Sequence, residues 1–215
     1  MASRSSAPRP EPGSATRPPS PPGPGANGWR SKKKAHREGR TLLFLDETGH
    51  SFRQRPGTTW ARRGATPLLR RVSKRREVSS IVAVTPNGRL YARHFRGSVS
   101  SRTAILALRH FRRKAGAPLL VIWDRLTAHR ARRTAAFLAA HPQDFAVAYL
   151  PAYAPELNPE EPCNACVKRA MENATPSCVA DLHRLVRRGF RRLQHRPELI
   201  VGCFRHAGLR VAQLR

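Results

Sequence analysis

Three carboxylates in this chain stand where an apolar segment ends or a helix begins. Asp46 follows the apolar run 42–45, Asp124 follows the run 119–123, and Glu161 comes just after an Asn-Pro pair. A carboxylate at the end of a buried strand is costly unless a cation or hydrogen bonds compensate it. Three converging carboxylates would form an oxygen-ligand site suited to a hard divalent cation such as Mg²⁺. In a protein that holds a polyanion, such a site indicates metal-assisted phosphodiester chemistry.

The charge balance indicates a nucleic-acid partner. The 215 residues carry 41 Lys plus Arg against 13 Asp plus Glu, a net charge of +28, with a pI ≈ 11.8. Such a field attracts phosphate backbones, although part of the excess also fits the role of arginine as a surface helix former. A basic membrane-surface protein is the competing interpretation, but no apolar run approaches the roughly 20 residues that span a bilayer. No signal-peptide core opens the chain. We therefore expect DNA as the partner and no membrane.

Four cysteines are too few for a disulfide framework, so a reducing cytoplasm is expected. Cys163 and Cys166 have the CxxC spacing of a zinc half-site, which Cys178, His183, Cys203 or His206 would have to complete. No second closely spaced pair exists, and the CxxC falls inside a predicted helix, where cysteines serve as small packing residues. A zinc-stabilised interaction module is retained as an alternative.

The chain divides into three parts by composition. Residues 1–28 are rich in Pro, Ser and Gly with almost no large apolar side chain, which predicts a disordered tail. Residues 29–40 predict a basic helical lead-in. Residues 41–210 have the pattern of a single α/β domain.

Within that domain the pattern predicts a mixed sheet flanked by helices. Strands are expected at 41–46, 78–84, 89–95, 119–124 and 145–150, with a tight turn at Pro86-Asn87-Gly88. Helices are expected from Ser100 or Ser101 to 114, at 130–140, from an Asn158 cap with Pro159 at the first helical position, and at 178–195 and 197–206. An irregular insertion rich in Arg, Gly, Thr and Pro occupies 52–71.

Three motifs carry a family resemblance. They are Leu-Phe-Leu-Asp-Glu-Thr-Gly at 43–49, Trp-Asp-Arg-Leu-Thr-Ala-His at 123–129, and Leu-Pro-Ala-Tyr-Ala-Pro-Glu-Leu-Asn-Pro-Glu-Glu at 150–161. Together, from about residue 29 to 209, they resemble the Asp-Asp-Glu (DDE) catalytic domain of insertion-sequence transposases related to the mariner superfamily. The third motif is the most specific of the three.

The resemblance implies an RNase H-like, retroviral integrase-like fold with Asp46, Asp124 and Glu161 as the catalytic and metal-binding triad. It implies two Mg²⁺ or Mn²⁺ ions that support DNA strand cleavage and strand transfer. His129 matches a family histidine that orients the site or contacts phosphate, although a surface histidine at a helix start is an equal interpretation. Asn158 is a further accessory candidate at the start of the third motif's helix.

Each acid has a rival. In one alternative, Glu47 is the functional acid and Asp46 caps a turn. In another, Asp124 is only an ion-pair partner of Arg125 or Arg130. Glu161 would be a first-turn acid favoured by the helix dipole, with Glu160 as the functional neighbour. The family motif places its acid two residues after the proline, which selects Glu161.

Two departures from the family pattern concern the helix that carries the third acid. Asn164 stands where relatives carry an aromatic residue, often Trp, and Pro162 lies in the first turns, where we expect some strain. Catalytic competence is therefore less firmly implied than the fold. A catalytically silent DNA-binding relic and an RNA–DNA hybrid nuclease on the same fold are the rival functions.

The expected partners are transposon-end and target DNA, and a second copy of the chain bound to the same DNA. No helix-turn-helix region precedes residue 29, so end recognition is expected from a separately encoded helix-turn-helix subunit. Trp60 in the insertion contacts DNA or a partner subunit, or else anchors the insertion to the core. A bacterial, nucleoid-associated cytoplasmic location is expected. The candidate phosphate contacts are Lys32, Lys33, Lys34, Arg62, Arg63, Arg70, Arg71, Lys74, Arg75 and Arg76.

Overall fold

The fold is that of a computed structural model, which describes residue 35, residues 37–53, 57–70, 78–123, 131–151 and 155–211, and residue 214. The predicted tail 1–28 and most of the predicted lead-in 29–40 lie outside the described residues. None of the helices in these ranges is long and apolar enough to cross a membrane.

A five-stranded mixed sheet forms the centre of the domain. Its strands are β1 (Thr41–His50), β2 (Val78–Val84), β3 (Leu90–Arg96), β4 (Leu119–Trp123) and β5 (Phe145–Tyr149), in the spatial order β3-β2-β1-β4-β5. β1 pairs antiparallel with β2, and β2 with β3, whereas the β1–β4 and β4–β5 pairs are parallel. Residues 42–45 of β1 and all of β2 and β4 are buried, as continuous apolar strands covered on both faces should be.

In the described residues, five α-helices cover the two faces of the sheet. α1 (Ser101–Ala115) and α2 (Arg132–Ala139) pack on one face, around Leu43, Leu45 and Ile81. α3 (Glu160–Ala170), α4 (Val179–Gln194) and α5 (Pro197–His206) pack on the other face. The two apolar clusters use alternate residues of the same strands, because successive side chains of a strand point to opposite faces.

Local signals set most of the element boundaries. Ser100 caps α1 with a capping box to Thr103, and Gly116 ends the helix in the left-handed region at φ 72. Gly88 closes the β2–β3 turn at φ 76, and a Cβ there would come within 2.8 Å of Pro197. The predicted tight turn is confirmed, and Gly88 is required both by its backbone conformation and by the close approach of α5.

Most boundaries agree with the prediction to within one or two residues, and two differences bear on the site. β1 continues four residues past Asp46 to His50, because β2 pairs with it over the whole of that stretch, from Asp46↔Val82 to His50↔Val78. The helix of the third motif begins at Glu160 rather than at Pro159, although the Asn158 side chain still accepts a hydrogen bond from the Glu160 N–H, at 3.2 Å. Neither difference changes which elements exist or their order.

Candidate active site

Asp46 lies on β1, the central strand, with its side chain half-buried. It pairs with Val82, whose side chain belongs to the apolar cluster under α3, α4 and α5, whereas the neighbouring Glu47 pairs with Ile81 on the opposite face. The Glu47 N–H donates to Oδ1 of Asp46 at 2.7 Å and so helps to orient that carboxylate. Asp46 rather than Glu47 therefore shares a face of the sheet with the start of α3.

Glu160 is the first residue of α3 and its side chain is 0% exposed. The preceding residues build this helix start: Asn158 is buried, its side-chain oxygen accepts from the Glu160 N–H, and its carbonyl accepts from the Glu161 N–H. Donors at a helix start lack partners within the helix, so Asn158 supplies what the first turn needs. These hydrogen bonds fix the first turn of α3, which packs against β1.

Glu160 and Asp46 form a pair of facing carboxylates. The pKa of Glu160 is raised well above its usual range, first by burial, then by the charge of Asp46 and a shared hydrogen bond with it, and then by Glu161. Asn164, one turn further along α3, donates its Nδ2 hydrogen to Oε2 of Glu160 at 2.5 Å. Oε1 of Glu160 is buried, and no donor from the described residues reaches it. A cation beside this oxygen would compensate the negative charge of the carboxylate.

Glu161, the acid selected by the family motif, is exposed to solvent next to this pair. Pro162 is the third residue of α3, within the first turn, where backbone N–H groups have no helical acceptor. The later helix start places Pro162 one position nearer to the N-terminal end of the helix than predicted, where its missing N–H costs no helical hydrogen bond. Both glutamates stay candidates for the third ligand.

Several predicted site residues lie outside the described residues. They are Asp124, His129, Lys32, Lys33, Lys34, Arg71, Lys74, Arg75 and Arg76. Arg62, Arg63 and Arg70 are described and exposed, in the segment 57–70. Trp60 in the same segment is 100% exposed, so it does not anchor the insertion to the core. The segment is tied to the domain at Gly57, whose N–H and C=O both bond the Asn173 side chain, at 2.9 and 3.1 Å.

The cysteines of the zinc hypothesis are separated by their burial. Cys163 and Cys203 lie in the apolar core beneath α3 and α5, whereas Cys166 and Cys178 are exposed. In the described part of the chain, no group of three His, Cys, Asp or Glu side chains is arranged to hold a metal ion. Cys163 thus packs in the core, as expected for a small residue inside a helix.

Two features of the site do not follow from the sequence pattern. Asn164 departs from the family pattern, yet it is the hydrogen-bond partner of Glu160, and the i, i+4 spacing is the signal that could have indicated this. Nothing in the motifs singles out His50. It ends β1, is 3% exposed, finds no hydrogen-bond partner for either ring nitrogen among the described residues, and packs edge-on against Phe190.

Residues 41–183, about two thirds of the chain, match the family described as DDE superfamily endonuclease. The chain belongs to this family. The match covers the sequence positions of Asp46, Asp124, Glu160 and Glu161, so β1, β4 and the start of α3 fall inside the DDE region. No curated protein shows a significant match to the sequence.

Solved structures of Mos1 transposase share the fold of this DDE-family chain. The Mos1 paired-end complex with the left transposon end superposes with a TM-score of 0.55 at 15% identity, over 94% of this chain and 68% of that one. A pre-cleavage Mos1 transpososome gives 0.54 at 16% identity, over 82% and 60%. The mariner Mos1 paired end complex with Mg gives 0.52 at 16% identity, over 94% and 67%. The RNase H-like mixed sheet that the sequence predicted is confirmed.

Proposed function

We propose that this chain is the catalytic domain of a DNA transposase, which cuts and joins phosphodiester strands with divalent cations held by acidic side chains. The observation that carries the proposal is the contact between Asp46 on the central strand and Glu160 at the start of α3. A buried carboxylate beside a second carboxylate is unfavourable in its charged form without a compensating cation. Membership of an endonuclease family supplies the reaction class.

The second acid is proposed from the strand register. Each paired residue of β4 lies 78 positions after its partner in β1, from Thr41↔Leu119 to Phe44↔Ile122. The same 124 − 46 = 78 positions separate Asp46 from Asp124. Asp124 follows directly after Trp123, the last residue of β4. This offset supports Asp124 as the second metal ligand.

We propose Glu160 as the third ligand, with Glu161 as the alternative that the family motif implies. Glu160 is the acid in contact with Asp46, and one of its oxygens is buried with no donor from the described residues. Asn164 fixes its other oxygen, so the carboxylate is already oriented before a cation binds. Glu161 is exposed and would have to turn towards the site.

The donor set fits the cations that the family implies. Carboxylate oxygens suit Mg²⁺ or Mn²⁺, and we propose two ions. When bound by these acids, such ions would supply activation of an attacking water or DNA 3′-hydroxyl and stabilisation of the leaving oxygen. Asp46 and Glu160 would bind the cations. The Glu47 N–H orients the Asp46 carboxylate, and the Asn164 side chain orients the Glu160 carboxylate.

The proposed partners are transposon-end and target DNA, with two copies of the chain on the DNA. The Mos1 structures are described as a paired-end complex and a transpososome, which favours this arrangement by analogy. We propose that Arg62, Arg63 and Arg70 contact phosphates, and that the fully exposed Trp60 contacts DNA or the second copy. End recognition by a separate helix-turn-helix subunit and a nucleoid-associated bacterial location are further proposals.

Nicking of supercoiled plasmid in Mg²⁺ or Mn²⁺ tests the function. The wild type should nick the plasmid, and Asp46→Asn and Asp124→Asn should each reduce the rate by at least about 100-fold. Glu156→Gln is the matched control, because it removes an exposed acid close to the site. Nicking that survives unchanged in Asp46→Asn or in Asp124→Asn would contradict the proposal.

A further inference from the structure

Helix α4 carries an arginine stripe that the candidate active site does not use. Its positions follow the i, i+3, i+4, i+7 pattern, which places all members on one side of the helix. The stripe, called here the arginine face, consists of Arg184, Arg187, Arg188 and Arg191. It lines a groove of about 550 Å³ against the edge strand β3, whose Ala92 and His94 form the opposite wall.

The arginine face has little compensating negative charge. Arg184 pairs with Asp181, but among the described residues no carboxylate lies within ion-pair distance of Arg187, Arg188 or Arg191. The other titratable groups nearby are His94, His183 and His195. Burial, then the charges of His183, His50 and Arg187, lower the pKa of His94 to about 4. Burial is the largest cause, and the neighbouring positive charges add to it.

The groove lies on the same side of the sheet as the candidate active site. Asp46 pairs with Val82, and Val82 pairs with Ala92, so the three residues form one row across the sheet. Paired residues project to the same face, which α3 and α4 cover. Ala92 is two strands from Asp46, a separation of about 10 Å at the usual strand spacing. A duplex engaged at the acids would extend across the groove.

We propose that the arginine face is a docking surface for the phosphate backbone of the duplex DNA that flanks the cleavage site. The stripe from Arg184 to Arg191 is about 10.5 Å long at 1.5 Å per residue. Along the DNA helix axis, that length corresponds to about three base-pair steps of 3.4 Å, a span that contains about three phosphates of one strand. The proposal deepens the proposed function, since it takes DNA as the substrate, and it assigns a surface outside the segments 32–34 and 62–76.

The chemistry of the arginine face fits positioning rather than sequence reading. Arginine guanidinium groups pair readily with phosphate oxygens. A row of them on one helix face can follow the sugar-phosphate backbone without contacting the base edges that carry sequence information. Binding through this surface should therefore be independent of sequence and strongly dependent on salt.

The test compares two triple variants of equal charge loss in the full chain. Arg187→Gln/Arg188→Gln/Arg191→Gln removes three exposed charges from the arginine face. Arg102→Gln/Arg113→Gln/Lys114→Gln removes three exposed charges from α1, on the opposite face of the sheet. Fluorescence anisotropy measures the affinity for two 30-base-pair duplexes of unrelated sequence at several salt concentrations. EDTA is present throughout, so that cleavage does not enter the result.

The arginine-face triple should make the plot of log affinity against log salt shallower by about 2.7, because each phosphate that the protein neutralises contributes about 0.9 to the slope. The reduction should be equal for both duplexes, with the α1 triple close to wild type and unchanged melting temperatures for both variants. An equal reduction in both triples, or no reduction in either, would overturn the proposal. Absence of cleavage in the plasmid assay leaves this readout intact, so the two proposals fail separately.

Discussion

Substitution of Glu160 by Gln distinguishes the two candidates for the third acid. Gln is isosteric, can still accept from Asn164, and offers an amide N–H to Asp46 in place of a second negative charge. Without metal, the stability of Glu160→Gln should equal or exceed that of the wild type, because burial and Asp46 already disfavour the charged form. Loss of the carboxylate should nevertheless remove a metal ligand.

The size of the metal effect follows from linkage. Mn²⁺ at 100 times its dissociation constant stabilises the wild type by about 2.7 kcal/mol, which for a domain of this size raises Tm by about 5–11 °C. If Glu160→Gln weakens binding by about 100-fold, only about 0.4 kcal/mol, or about 1 °C, remains. Glu161→Gln should keep most of the wild-type shift, since its carboxylate is exposed.

Differential scanning calorimetry with and without Mn²⁺ measures both quantities, and isothermal titration gives the dissociation constants directly. Asp46→Asn should lose the shift, and Glu156→Gln should keep it. The reasoning is refuted if Glu160→Gln keeps the full Mn²⁺ shift while Glu161→Gln loses it. The third ligand would then be the acid two residues after Pro159, as the family motif implies, and Glu160 would be a buried neighbour.

Three further predictions concern the surroundings of the site. Asn164→Leu should weaken Mn²⁺ binding by about 10–100-fold in isothermal titration, because Glu160 loses the donor that orients it; unchanged affinity would exclude this positioning role. Burial, then the charge of Lys168, lower the pKa of His50 from 6.5 to about 4, so the unfolded chain takes up the proton first as the pH falls. The contribution of His50 to the free energy of unfolding is therefore fully present above pH 6.5 and is lost towards pH 4. In urea unfolding, His50→Leu should lose about 2 kcal/mol less than the wild type between pH 8 and pH 5. An equal loss in both proteins would contradict the lowered pKa. Phe204→Ala, which empties a 0% exposed position edge-on to Phe44, should cost about 3–5 kcal/mol in the same assay, against less than about 1 kcal/mol for the exposed Leu199→Ala on the same helix.

The sequence by itself determined the family and the element order. Continuous apolar runs in β1 and β4 predict strands buried on both faces, and the Ser100 cap and the Asn87-Gly88 turn set boundaries through local hydrogen bonding and backbone conformation. These signals depend on residues close in the chain, which is why they could be found without a structure. The spacing of Asp46 and Asp124 is likewise evident in the sequence, although its match to the strand register is not.

Only the tertiary structure decided which side chains meet. The extension of β1 to His50 depends on its antiparallel partner β2, which contributes hydrogen bonds that no local pattern reveals. The burial of Glu160 against Asp46 depends on how α3 docks on the sheet. Rotation of the helix by one residue position would change which side chain meets Asp46. The arginine face becomes a groove only because α4 packs beside the edge strand β3. Periodicity fixes the face of an element, but packing against distant residues fixes what that face touches.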